Sequence, residues 1–228
     1  LPLYWAIEWD NDKTYKLAGE MATEMVTRDK NRASIIIWSV ANETGDNTDR
    51  NKFLTGMIEQ IRNMDDTRLV SAALLINHKK SSKKLKLVDD YLGQYSDIIS
   101  VNEYFGWYQG LPQDKDNISW EIKFNKPFIF SETGAGALQG YHGDSLTRWT
   151  EDYQAYYYRK SIEMFDRIPS LRGVSPWILN DFLCPQRVFP YIQDNFNRKG
   201  LISDRGEKKQ AYYILQNYYK QKKIEYEK

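Results

Sequence analysis

Two glutamates stand out because each closes an apolar run. Ile35-Ile36-Ile37-Trp38-Ser39-Val40-Ala41 leads into Asn42 and Glu43, and Phe128-Ile129-Phe130-Ser131 leads into Glu132. A buried strand ending in a polar residue presents it at the C-terminal edge, and in a (β/α)8 barrel the C-terminal edges of all strands face one active-site mouth. Carboxyls delivered there from two strands suit acid/base and nucleophilic chemistry on a glycosidic bond. One protonates the leaving oxygen while the other attacks the anomeric carbon or activates water. The plainer alternative, for either glutamate alone, is a strand end facing solvent or a neighbouring arginine. The matching contexts of the two favour the catalytic reading.

The elements that must position them follow from periodicity. Short β-rich apolar runs alternate with longer helical patterns, the signature of βα units around a parallel sheet. Strands are expected at 34–40, 68–74, 97–101, 127–131 and 173–179. Phe53, Leu54, Met57, Ile58, Ile61 and Met64 recur at helical spacing, with Thr48 or Asp49 as the cap. Further helices are expected at 14–27, from Asp144 to residue 166, and from Glu207, where Ala211, Leu215 and Tyr218 share a face. Tyr156-Tyr157-Tyr158 reads as packing surface. Strand starts lie about 25 to 45 residues apart, a reasonable step for one βα unit of an eight-stranded barrel. The fold class is therefore α/β: the C-terminal five βα units of a (β/α)8 TIM barrel, with the first three strands upstream of Leu1. No internal repeat, low-complexity tract or linker divides 1–228, so one domain, or part of one, is expected.

Composition narrows the partners. Lys plus Arg (32) nearly cancels Asp plus Glu (31), which argues against nucleic acid and an anionic membrane surface. No stretch is apolar enough to span a bilayer. Aromatic residues reach 14%, with 7 Trp and 17 Tyr, and flat aromatic faces suit sugar rings as well as cores. Cys184 is the only cysteine, so no intrachain disulfide forms, and with two distant histidines, His78 and His142, a structural zinc site is not expected.

Residues 28–43, Arg28-Asp29-Lys30-Asn31-Arg32-Ala33-Ser34 followed by the run to Asn42-Glu43, resemble the acid/base signature of glycoside hydrolase family 2. That family contains β-galactosidases, β-glucuronidases and β-mannosidases. Phe128 to Gly134 resembles its nucleophile strand, Val101-Asn102-Glu103-Tyr104-Phe105-Gly106-Trp107-Tyr108 its preceding strand, and Val174-Ser175-Pro176-Trp177 its last barrel strand. The resemblance implies a retaining β-glycosidase in which Glu43 is the general acid/base, Glu132 forms the glycosyl-enzyme and Asn42 holds the sugar 2-hydroxyl. It also implies that Tyr104 donates to Glu132, that Trp107 and Tyr108 contact substrate, and that Trp177 floors the pocket; the alternative for Trp177 is ordinary core.

Sugar choice turns on Arg187 and on Asn197-Arg198-Lys199 before Gly200. In the β-glucuronidase branch an Asn-x-Lys pair after the last strand binds the substrate carboxylate, and Asn197 and Lys199 match it; Arg187 could add a second cation. An ammonium and an amide aimed at C6 favour a uronate over a neutral hexose through charge-assisted hydrogen bonds. The expected substrate is a β-glucuronide. The alternatives are a β-galactoside, with Lys199 only packing locally, and a carbohydrate-binding barrel fragment without turnover. No cofactor is assigned. Upstream domains of the parent chain are expected partners; oligomeric state and compartment, cytoplasmic or periplasmic or secreted, stay open.

Overall fold

The computed structural model describes residues 1–77, 80, 82 and 84–227, so His78 lies outside the described residues. It divides into two compact units. The first comprises Leu1–Asn102, Ser119–Ser131 and Ser170–Gly173; the second comprises Glu103–Ile118, Glu132–Pro169 and the residues from Val174 on.

Nine strands and four α-helices are formed by the described residues. β1 (Ile37–Asn42), β2 (Leu69–Leu74), β4 (Ile99–Asn102), β6 (Phe128–Thr133) and β7 (Leu171–Pro176) make one five-stranded sheet in that order. β1 runs parallel to β2, with Trp38 opposite Val70, and β2 runs parallel to β4, with Leu74 opposite Val101. These five strands are the five expected, shifted by up to three residues. β1 starts late because Ile35 turns back to bond Arg32 O at 3.1 Å. β7 starts earlier and stops at Pro176, after which the Trp177–Ile178 peptide is cis. The pattern did not show β3 (Leu85–Val88) paired with β5 (Ser119–Ile122), or the β8 (Phe182–Leu183) and β9 (Phe196–Asn197) pair. β3 and β5 interleave apolar with charged or polar residues and β8 and β9 are only two residues long, so none leaves an apolar run to read.

In the first unit Val40, Val70, Ala72, Leu74, Ile99, Val101, Phe128 and Phe130 are buried strand residues. α2 (Thr48–Met64) buries Phe53, Leu54, Met57, Ile58 and Ile61, as its spacing requires. α1 (Asp12–Asp29) offers Ala18, Ala22 and Val26, whose small side chains allow close approach to α2. Gly56 leaves room at that contact for Tyr15, whose hydroxyl would lie 2.2 Å from a Cβ there. The cap of α2 is Asn47, whose side chain accepts from Arg50 N at 2.9 Å; the expected Thr48 and Asp49 fall inside the first turn. Residues 1–3 lie along β1, with Leu1 N donating to Ser39 O and Asn42 N to Leu3 O.

In the second unit α3 (Glu151–Phe165) begins later than expected. Thr150 caps it through Tyr153 N, and Asp144 instead bonds Leu146 N in a turn. Tyr157 and Tyr158 are fully buried, as packing surface should be. α4 (Gln210–Tyr226) starts past Glu207, whose carboxylate and backbone N–H both bond the Ser203 hydroxyl. Ala211, Leu215 and Tyr218 form its buried face, against α3. No described helix is long and apolar enough to cross a membrane.

Candidate active site

Glu43 sits one residue past the end of β1. Its backbone N–H donates to Ala73 O of β2 at 2.9 Å, and its φ of 53° lies in the left-handed region, which costs a non-glycine residue about 1 to 3 kcal/mol. Strain of that kind persists only where the surroundings over-determine the residue, and here they do. Asn102, the last residue of β4, donates from Nδ2 to Glu43 Oε1 at 2.9 Å and to Asn42 Oδ1 at 3.0 Å. Asn102 Oδ1 in turn accepts from Ser131 Oγ at 2.8 Å. Beyond Glu43, Thr44 is clamped by the fully buried Arg50. That guanidinium bonds Thr44 Oγ1 and Thr44 O and makes a two-pronged pair with Asp90 at 2.8 and 2.9 Å.

Glu132 is the fifth residue of β6 and belongs to the second unit. Its Oε2 accepts from Tyr104 Oη at 2.7 Å, and its backbone O accepts from Glu103 N at 2.9 Å. Burial first, and the charge of Glu132 next, push the Tyr104 pKa far above that of an ordinary phenol, so the hydroxyl remains a donor throughout the working pH range. Behind Tyr104 lies Lys199. Its Nζ donates to Tyr108 Oη at 2.8 Å and stands 5.0, 5.7 and 6.0 Å from the ring centres of Tyr108, Tyr104 and Trp107. Lys199 is only 5% exposed, and among the described residues no carboxylate pairs with it.

The loop carrying Lys199 is pinned from below. Asn197 Oδ1 accepts from Lys199 N at 3.2 Å. Asp181 accepts from Gly200 N at 2.8 Å and from the buried Lys209 ammonium at 2.8 and 3.0 Å. Gly200 must be glycine, because a Cβ would fall 2.2 Å from Asp181 N. Arg198 points its guanidinium at Asp204 and Asp181 instead, so the three consecutive polar residues divide their work.

The other expected contacts are placed less uniformly. Tyr108 is exposed, whereas Trp107 is 4% exposed, edge-on to Trp149 at 4.8 Å and Tyr153 at 6.0 Å, with Arg148 over its ring. Half-buried Trp177 bonds Thr133 O through its backbone N–H and meets Phe182 edge to face. Arg187 is held through its backbone, to Cys184 O and from Asn195 N, and its guanidinium has no hydrogen-bond partner among the described residues. Thus Asn42 and Glu43 form one cluster, and Tyr104, Tyr108, Trp107, Glu132, Asn197 and Lys199 form another. Arg187 joins neither. Asn102 and Ser131 are not singled out by the sequence pattern, although Asn102 ends the apolar run of β4 much as Glu43 and Glu132 follow theirs. Among the described residues no group of three His, Cys, Asp or Glu side chains could hold a metal ion.

Parallel strands taken in sequence order, with carboxylates at or just past their C-terminal ends, define a TIM-barrel catalytic fold. The chain belongs to glycosyl hydrolase family 2: the model described as "Glycosyl hydrolases family 2, TIM barrel domain" matches residues 2–224. It is 28% identical over 216 residues to a β-glucuronidase of Paenibacillus borealis, covering 91% of this chain and 34% of that protein. Human β-glucuronidase is 27% identical over 215 residues, covering 88% and 31%. A family 2 β-galacturonidase from Eisenbergiella tayi bound to galacturonate superposes with a TM-score of 0.76 at 25% identity, over 93% of this chain and 38% of that one. The β-D-glucuronidase of Dictyoglomus thermophilum gives 0.74 at 27% identity, over 92% and 36%. The chain thus spans about a third of the length of the relatives it matches.

Proposed function

We propose that Glu132 is the nucleophile and Glu43 the general acid/base of a retaining β-glycosidase whose preferred substrate is a terminal β-linked uronide, a glucuronide first. We also propose that this chain supplies the C-terminal five βα units of the barrel in a longer protein. The observation that carries the uronide reading is the buried Lys199 ammonium, which has no counter-ion among the described residues and lies behind the tyrosine that bonds Glu132. A desolvated cation without a counter-ion is costly, and an incoming carboxylate offsets that cost with a charge-assisted hydrogen bond. Asn197, held by the Lys199 backbone, contributes its amide Nδ2 to the same carboxylate. The names of the relatives support the class, since they specify glucuronide or galacturonide hydrolysis.

The chemistry follows in two steps. Glu132 attacks the anomeric carbon as Glu43 passes its proton to the departing oxygen, which leaves a glycosyl ester on Glu132 and an ionised Glu43. Glu43 then removes a proton from water, the hydroxyl displaces Glu132, and the sugar leaves with its anomeric configuration retained. Tyr104 holds Glu132 Oε2 in place before attack and meets its returning charge afterwards. Asn42 engages the 2-hydroxyl. The span of about a third of the relatives' length favours a second statement, that residues 1–228 alone do not turn over substrate.

The test uses the full-length protein with nitrophenyl β-glucuronide and nitrophenyl β-galactoside side by side. Glu132→Gln is expected to abolish turnover, and near-normal hydrolysis by that variant removes the mechanism. Lys199→Ala is expected to lower kcat/KM on the glucuronide by about 10- to 100-fold, the value of one hydrogen bond to a charged group. Faster galactoside cleavage, indifferent to Lys199→Ala, rejects the uronide reading in favour of a galactosidase.

A further inference from the structure

We infer that Ser131 is a positioning residue for the acid/base carboxyl, acting through the Asn102 amide. This rests on the reading of Glu43 as the acid/base.

The argument is one of donors and acceptors. A side-chain amide has nearly the same shape in its two flipped orientations, so only its hydrogen bonds decide which face is NH2 and which is C=O. Asn102 meets three oxygens: Glu43 Oε1 at 2.9 Å, Asn42 Oδ1 at 3.0 Å and Ser131 Oγ at 2.8 Å. The amide oxygen of Asn42 only accepts, Oε1 of Glu43 accepts whether the carboxyl is ionised or carries its proton on the other oxygen, and the serine hydroxyl is left as the donor. With the hydroxyl donating to Asn102 Oδ1, both Nδ2 hydrogens are committed, one to Glu43 and one to Asn42. The flipped amide would set its carbonyl against two acceptor oxygens and waste the serine proton.

One consequence bears on catalysis. Oε1 of Glu43 is the oxygen that already accepts a hydrogen bond, so the transferable proton sits on Oε2. The chain also joins the two glutamates by sequence, since Ser131 immediately precedes Glu132. Removing the serine hydroxyl unlocks the amide, and the Glu43 proton is no longer confined to one oxygen. The loss falls on proton donation to the leaving group, not on attack by Glu132.

Leaving-group dependence separates that defect from general disruption. In the full-length protein, kcat/KM is measured for Ser131→Ala on a dinitrophenyl glucuronide, which departs without protonation, and on an alkyl glucuronide, which requires it. The expected result is a loss of about 10-fold on the alkyl substrate, a small part of what general acid catalysis contributes, with the dinitrophenyl substrate unaffected. Ser131→Thr, which keeps the hydroxyl, is expected to restore the alkyl rate. Equal loss on both substrates, or no loss on either, overturns the proposal. Glu43→Gln runs alongside. Selectivity in Glu43→Gln with none in Ser131→Ala overturns the relay alone, whereas absence of selectivity in both overturns the acid/base reading with it.

Discussion

The Tyr104 hydroxyl owes its usefulness to surroundings that would penalise its ionisation. Buried and beside Glu132, it stays protonated and donates to Oε2. A hydrogen bond to a charged group contributes about 1.5 to 3 kcal/mol. Tyr104→Phe keeps the ring against Lys199 and removes only that bond. It is expected to lower kcat about 10- to 100-fold with little change in KM if, as proposed, Glu132 is the nucleophile, because the bond then acts on that carboxylate and not on the sugar. A large rise in KM with unchanged kcat would assign the hydroxyl to substrate binding instead. The placement of Tyr104 beside Glu132 and of Lys199 beside Tyr108 was legible as residue types in a motif. That of Asn102 and Ser131 was not, because a hydrogen-bond relay among side chains from three strands leaves no local pattern in the chain.

Between β1 and α2, the backbone that follows Glu43 is held by a buried ion pair. Arg50 and Asp90 are 0% and 3% exposed at their side chains, and Arg50 also holds Thr44, the residue after strained Glu43. Breaking a buried pair leaves one charge uncompensated and costs about 3 to 5 kcal/mol, whereas replacing both partners with apolar residues of similar volume can be neutral. Asp90→Ala is therefore expected to lower the urea midpoint sharply, and Arg50→Met with Asp90→Leu to recover most of it. The double variant still lacks the bonds to Thr44, so its activity is expected to stay low although its stability returns. Recovery of both would show that the clamp on Thr44 is dispensable. At this scale the sequence was easiest to read, since the strands and helices follow from apolar periodicity. Their ends were harder, because Asn47, Thr48 and Asp49 are all good caps and only the local backbone chooses among them. The short pairs β3–β5 and β8–β9 stayed hidden because none of them leaves an apolar run.

For the molecule as a whole, near-neutral net charge leaves little general self-repulsion at pH 7, and the onset of acid sensitivity at about pH 4 has a contribution from individual carboxyls whose pKa the fold lowers. Asp65 is the sharpest case. It closes α2, accepts from the Thr67 hydroxyl and backbone N–H, from the Trp38 indole at 2.9 Å and from Arg68 at 2.8 Å, and is almost wholly buried. The Thr67 hydroxyl bond leads in holding its pKa far below the usual carboxylate range, with the Trp38, Thr67 backbone and Arg68 bonds adding to it against the opposing effect of burial. A folded-state pKa lowered below the unfolded value of about 3.9 favours the ionised native state, so its stabilisation is complete above that value and fades as pH falls below it. Asp65→Asn removes the charge at every pH. Denaturation of the full-length protein is expected to show the variant less stable than wild type at pH 7, with the gap constant down to about pH 5 and narrowing steadily below about pH 4. A gap that stays the same to the lowest measurable pH would mean that the variant loses packing or hydrogen-bond geometry rather than charge. A gap that widens on acidification would reverse the sign and place the Asp65 carboxyl above its unfolded pKa.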